Sequence, residues 1–269
     1  MIRVTIWNEH FQDRGIELAE AGIREGKTEE DVAWLRKTGA EVRAVHPQGI
    51  NETLKTIFDD CDDIQVTLTG LDEPECGLTE ELLNNTDVLL YWAHCIHDNV
   101  SDEAAERVRQ HVLHGMGFIP LHSAHPSKPM QRVLGSSGTL RWRDGDYCRI
   151  FTTAPTHPIA AGIPGIIELG EEEMYGEYFD IPKPDDVVFT SWFSGGDVFR
   201  SGCTWTRGYG RIFYFQPGHE TNRSYYHPVI RQIIKNAVYW CAPVHRVEKL
   251  DCPHTVPSFE EIRAGRMEF

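Results

Sequence analysis

The sequence predicts an α/β fold: a doubly wound, mostly parallel sheet with helices on both faces. Three observations carry this. Short apolar, β-branched runs alternate with helical segments along the first 120 or so residues. Such alternation is the signature of βαβ units and a parallel sheet. Several of the apolar runs stop abruptly in polar clusters, as strands do where they leave a buried sheet for solvent. And 269 residues with 41% hydrophobic and 25% charged side chains is an ordinary globular composition, long enough for one sizeable core.

The elements follow in order. Residues 2–7 form an apolar strand that runs into Asn8-Glu9-His10. Residues 28–38 read as a helix, with Thr28 as N-cap, Asp31 three residues later and Gly39 as the stop. Glu41 to Val45 alternates and reads as a second strand. Residues 51–60 suggest a helix, Ile64 to Leu68 a strand and Thr79 to Asn84 a short helix. Asp87 to Trp92 is a strongly apolar strand ending in Ala93-His94-Cys95-Ile96-His97. Ser101 opens a helix to about His114, with Val108 and Val112 on one face. Gly117 to Leu121 is the next strand, ending in His122-Ser123-Ala124-His125. Residues 140–200 are rich in Gly, Pro and aromatics and suggest short, partly antiparallel strands joined by long loops. Arg211 to Gln216 is again a strand, and 227–240 a helix. A domain over 1–243 and an irregular C-terminal tail over 244–269 result.

Charge narrows the partners. A net charge of −15 opposes a nucleic-acid backbone or an anionic membrane as partner. No run approaches the ~20 apolar residues of a membrane span. Seven cysteines, without a CxxC pair, suit reduced thiols and a cytoplasmic location.

In an open α/β sheet, ligands bind outside the carboxyl ends of the strands. Four polar clusters are predicted there: Asn8-Glu9-His10, His94 with His97, His122 with His125, and His219-Glu220. Neutral imidazoles beside a carboxylate suit a zinc ion or acid–base catalysis. His94, His122 and His219 are the expected metal ligands, and His122, His219, Glu220, Glu173 and Ser123 the expected catalytic residues. Asn8, Glu9, His97, His125, Lys128 and Tyr175 are the expected substrate contacts. The turn after Leu121 suggests an elbow that presents Ser123, although the flanking glycines of a hydrolase elbow are missing. Glu173 and Glu177 would share a face were their segment helical; a solvated acidic loop is the competing reading. Cys95 is a further nucleophile candidate, against the inert thiol that most lone cysteines are. Trp92, Tyr175 and Trp192 offer faces for a sugar, or are ordinary core.

Five segments together resemble the trehalose utilisation family ThuA: Tyr91 to His97, Leu121 to Lys128, Glu172 to Glu177, Phe199 to Gly202 and Phe213 to Thr221. The resemblance spans Trp7 to about Trp240. It implies a class I glutamine amidotransferase-like, flavodoxin-like fold and a place in the catabolism of trehalose or related disaccharides. It also implies a bound zinc and a homo-oligomer. In that superfamily a cysteine occupies the elbow; here His122-Ser123 stands there, so the thiolate that glutamine hydrolysis needs is missing. A metal-assisted enzyme acting on a sugar or keto-sugar, a non-catalytic sugar-binding or regulatory protein, and a Ser123-His219-Glu220 hydrolase are the readings left open.

Overall fold

The computed structural model describes residues 1–250 and 257–265. One nine-stranded sheet organises the described residues, in the order β2-β1-β3-β4-β9-β8-β7-β5-β6. Its first half contains β1 (Ile2–Asn8), β2 (Ile64–Gly70), β3 (Val88–Trp92), β4 (Gly117–Leu121) and β9 (Gly210–Phe215), all parallel. Its second half contains β5 (Arg141–Thr152), β6 (Ile166–Gly176), β7 (Asp186–Phe193) and β8 (Val198–Arg207), all antiparallel. β9 lies between β4 and β8 and is the strand that joins the two halves.

β3 and β4 are buried along their whole length, which explains their unbroken apolar runs. α3 (Ile50–Lys55) packs on β1 and β2, and α7 (Pro228–Cys241) on β4 and β9. α4 (Glu80–Asn84), α5 (Asp102–Leu113) and α6 (Lys128–Leu134) form a second helical group. The predicted Thr28 cap is present, and Thr79 and Ser101 cap their helices in the same way: each accepts the backbone N–H three residues on.

Two helices differ from expectation. α1 (Gly15–Glu25) has no counterpart in the sequence reading, and α2 (Glu29–Val45) continues through the predicted strand at 41–45. Val42 extends the buried face of Val32 and Leu35, so the alternation Glu41-Val42-Arg43 belongs to a helix. Gly39 is no stop: a Cβ there would lie 2.9 Å from Gly15 Cα, so it is where the two helices cross. The α1–α2 hairpin has its own small core of Ala19, Val32 and Leu35, apart from the sheet's core.

The second half of the sheet has longer strands than expected, from 8 to 12 residues. Glu173 therefore lies on β6, and the helical face it was to share with Glu177 does not form. Glu177 instead accepts two hydrogen bonds from the Arg200 guanidinium, both at 2.8 Å. In the expected tail, Val247 donates to His114 O and Arg246 reaches Asp87, so the chain after Ala242 packs beside the α5–β4 turn. α8 spans Phe259–Arg263; residues 251–256 and 266–269 of that tail lie outside the described residues.

Candidate functional site

The carboxyl ends of β3, β4 and β9 are adjacent, and they bring His94, His122 and His219 together. The ring centroids stand 5.2 to 5.4 Å apart, each pair edge to face. Glu220 adds a carboxylate, and one ligand atom from each of the four residues lies within 4.8 Å of all the others. His94, His219 and Glu220 line a cleft of about 850 Å3, and His122 is buried against them. α2 supplies one wall with Trp34, Lys37 and Glu41; the β5–β6 hairpin supplies another with Trp142, Asp144 and Glu171.

His122 stands at the elbow. Its φ of +51° is in the left-handed region, rare for a residue with a side chain. The surroundings hold it there. Its Nδ1–H donates to Gln216 O (3.1 Å), and its carbonyl accepts from the Tyr214 hydroxyl (3.0 Å). Its ring lies nearly parallel to Trp92 and Tyr175. This leaves Nε2 facing the cleft, 3.1 Å from a Glu173 oxygen.

The 217–224 loop carries His219 and Glu220, and a residue outside the sequence prediction shapes it. Glu172 is fully buried and accepts from Gly218 N, His219 N, Asn222 Nδ2 and Ser224 Oγ. Along β6, Glu172 and Glu173 point to opposite faces. One carboxylate builds the loop while its neighbour joins the cleft. Gly218 has φ +123°, and a Cβ there would meet the Tyr225 hydroxyl at 2.1 Å. Its carbonyl accepts from Trp92 Nε1.

The electrostatics of the cluster are strong. Burial favours neutral carboxyls, but the surrounding histidines prevail and hold Glu173 and Glu220 ionised, each lowered to about 2. Burial disfavours charge on His94, yet Glu220 at 2.8 Å, with Glu173 and Glu9 beyond, raises it to about 9. Burial lowers His97 and His219. It lowers His125 to about 3, so that ring is neutral, with Nδ1–H donating to Gly138 O at 2.6 Å.

The donor set fits a metal ion. His94 Nδ1, Glu220 Oε2 and Glu173 Oε2 are buried and close to neighbours, yet none makes a directed hydrogen bond. Buried ionised carboxylates are costly unless they share a cation, and the nearest groups to these two are imidazole nitrogens of the same cluster, at 2.8 and 3.1 Å. Three imidazoles with a carboxylate are a donor set that suits zinc.

Other expected residues have different positions. Asn8 and Glu9 are buried beneath the cleft and do not line it. Asn8 Nδ2 donates to Asp13, and the two Glu9 oxygens accept from Cys95 N and Ile96 N, so Glu9 shapes the loop after β3. Lys128 lies outside the cleft; its ammonium donates to Asp98 O and Val100 O. Ser123 lines the cleft, largely buried, and hydrogen-bonds to the Tyr175 hydroxyl. Among the described residues no histidine hydrogen-bonds to its Oγ, so the hydrolase relay is not assembled. His97, His125 and Tyr175 do line the cleft. Cys95 opens on it, but burial of the sulfur and the Glu9, Glu220 and Glu173 carboxylates push the thiol up to about 12, unlike an activated nucleophile. Trp92 is fully buried core, and Trp192 does not line the cleft.

Fold and site together define an α/β protein with a histidine–carboxylate cluster at the carboxyl edge of a mixed sheet. The chain belongs to the ThuA family, described as trehalose utilisation, whose model matches residues 3–241. No curated protein matches the sequence significantly. Similar solved structures include a putative ThuA-like protein of Parabacteroides merdae, with 12% identity, 93% of this chain and 92% of that one covered, and a TM-score of 0.57. A putative ThuA-like protein of Bacteroides uniformis has 13% identity, coverage of 89% and 91%, and a TM-score of 0.54. A cytoplasmic protein of Salmonella typhimurium has 13% identity, coverage of 73% and 88%, and a TM-score of 0.53. At these identities the likeness is one of fold. Among the described residues no helix is long and apolar enough to cross a membrane.

Proposed function

We propose that this chain is a zinc-dependent enzyme acting on a sugar or keto-sugar in disaccharide catabolism. The observation that carries the reading is the convergence of His94, His122, His219 and Glu220, one ligand atom from each lying within 4.8 Å of the others. The three histidines would hold the metal, with Glu220 as the fourth ligand or orienting His94. The chemistry a zinc ion supplies there is Lewis acidity toward a substrate oxygen.

The chain's own groups do the rest. Glu173, ionised at the cleft floor, accepts a proton from a substrate hydroxyl or carbon acid. The linked Tyr175 and Ser123 hydroxyls return a proton along their hydrogen bond. Neutral His125 offers Nε2 as an acceptor for a sugar hydroxyl, and His97 flanks it. Trp34 and Trp142, half exposed on opposite walls, offer flat faces for sugar rings.

The family and the lack of a thiol at the elbow support sugar chemistry over glutamine hydrolysis. The same reading takes residues 1–243 as the functional unit, in the cytoplasm, as a homo-oligomer. The edge strand β6, with Ile166 exposed, supports self-association. A second reading, a non-catalytic sugar-binding or regulatory protein, is favoured by the absence of a nucleophile at the elbow.

Metal analysis after exhaustive dialysis decides first. About one zinc per chain, lost in His122→Ala, supports the enzyme. Turnover on a panel of disaccharides and their keto forms then names the substrate. Metal-free protein that binds sugars without turning them over supports the second reading.

A further inference from the structure

A second cavity, of about 600 Å3, opens over the carboxyl ends of β1 and β2. It shares no lining residue with the cleft. His10 stands at its edge with φ +59°, the same strained conformation as His122. Such strain persists only where the surroundings over-determine it, and it gathers at functional positions. Here the ring is seated on Gly70, where a Cβ would lie 2.1 Å from His10 Cδ2. The Asn8 side-chain oxygen accepts from His10 N.

The polar atoms sort into two kinds. The charged groups are already used. Asp13 accepts from His10 Nδ1 (3.2 Å), Asn8 Nδ2 and Ile50 N. Arg43 pairs with Glu17, Glu52 with Lys55, and Glu73 accepts from Thr69. The free atoms are neutral acceptors. Asn51 donates its amide to Thr69 O, and its Oδ1 is buried without a partner. His46 is buried, its Nδ1 facing Thr53 Oγ1 at 3.0 Å, and the remaining Nε2 has no partner. His10, with Nδ1–H on Asp13, likewise presents Nε2 as an acceptor, touched only by Asn51 Nδ2 at 3.4 Å.

We infer that this cavity is a second ligand site, for a small neutral polyhydroxylated molecule. Two unpartnered buried atoms, His46 Nε2 and Asn51 Oδ1, with His10 Nε2 beside them, call for a ligand that brings hydrogen-bonding groups. An ammonium would also bring donors, but it needs a carboxylate facing these buried atoms: Asp13 is held by three donors, Glu52 pairs with Lys55, and Glu73 is exposed to solvent. Hydroxyl groups satisfy the acceptors without adding charge. The site uses no residue of the metal cluster and stands or falls apart from the proposed enzyme.

The test is titration of the intact protein with glycerol, myo-inositol and ethanolamine, followed by 1H–15N NMR at the amides of Gly49, Asn51 and Gly70. A polyol should shift these amides, and ethanolamine should not. His10→Gly suits the positive φ, so the variant should fold with an equal or higher melting temperature. It should nevertheless bind the polyol about tenfold more weakly. Asn51→Ala should weaken it similarly. Failure of both polyols to shift these amides, preference for ethanolamine, or undiminished polyol affinity in folded His10→Gly would overturn the assignment.

Discussion

Two cavities open at one edge of the sheet, each beside a histidine forced into the left-handed region, and their interiors differ in kind. In the cleft, ionised Glu220 and Glu173 stand 2.8 Å from His94 Nδ1 and 3.1 Å from His122 Nε2, and His94 is raised to about 9. In the second cavity Asp13 is saturated by three donors, and burial lowers His46 to about 4. Burial alone does not set the character of a histidine. The carboxylate in contact decides: Glu220 against the ring raises His94, while His46, with no carboxylate bonded to it, is lowered.

The sharpest way to break this contrast is His122→Ala, which should weaken zinc binding by more than about 100-fold in chelator competition and abolish turnover. His10→Gly should leave zinc affinity unchanged. Equal loss in both variants would mean the two cavities are not separate.

Gly218→Ala comes next. The Cβ clash and the positive φ should cost about 3 kcal/mol, read as a melting temperature roughly 6–12 °C lower, with zinc lost as the loop shifts. Gly70→Ala should displace His10 and leave zinc in place.

Acid titration sharpens the comparison from the other side. His46 has a folded pKa below its unfolded value near 6.5, so the unfolded chain binds the extra proton. Its contribution to stability is intact above pH 6.5 and lost as pH falls toward about 4, by roughly 2–3 kcal/mol. Denaturant melts at successive pH values should show a shallower decline for His46→Gln over that window. An equal slope would remove His46 as the source.

Glu172→Gln keeps the shape but puts a donor among donors. It should cost about 2 kcal/mol and lower zinc affinity about tenfold, because the loop carrying His219 relaxes. Unchanged zinc affinity would show that the loop holds without this carboxylate. Smallest of all, Trp142→Ala should leave stability within about 0.5 kcal/mol and weaken sugar binding by about 1 kcal/mol, measured by calorimetry.

Much of the first half was legible because local signals and tertiary packing agree there. The apolar runs of β3 and β4 end where His94 and His122 begin, and Thr28, Thr79 and Ser101 cap the helices predicted. α1 was not legible, since its few apolar residues pack on α2 rather than on the sheet. The Glu41 to Val45 alternation fitted a strand and a helix equally, and only the Gly15–Gly39 crossing decides. Lys128 and Glu9 showed that proximity in sequence to a motif leaves side-chain direction open. Glu172 was least legible: an acidic run reads as a solvated surface until the four donors, contributed by residues 218–224, fold over it.

The position of β9 has a consequence for biogenesis. Because the strand nearest the end of the sheet's chain order is wedged between β4 and β8, a nascent polypeptide shorter than 215 residues leaves both flanks with bare edges and lacks His219 and Glu220. Closure of the sheet and completion of the histidine cluster therefore wait for the same late stretch of chain, residues 210–220.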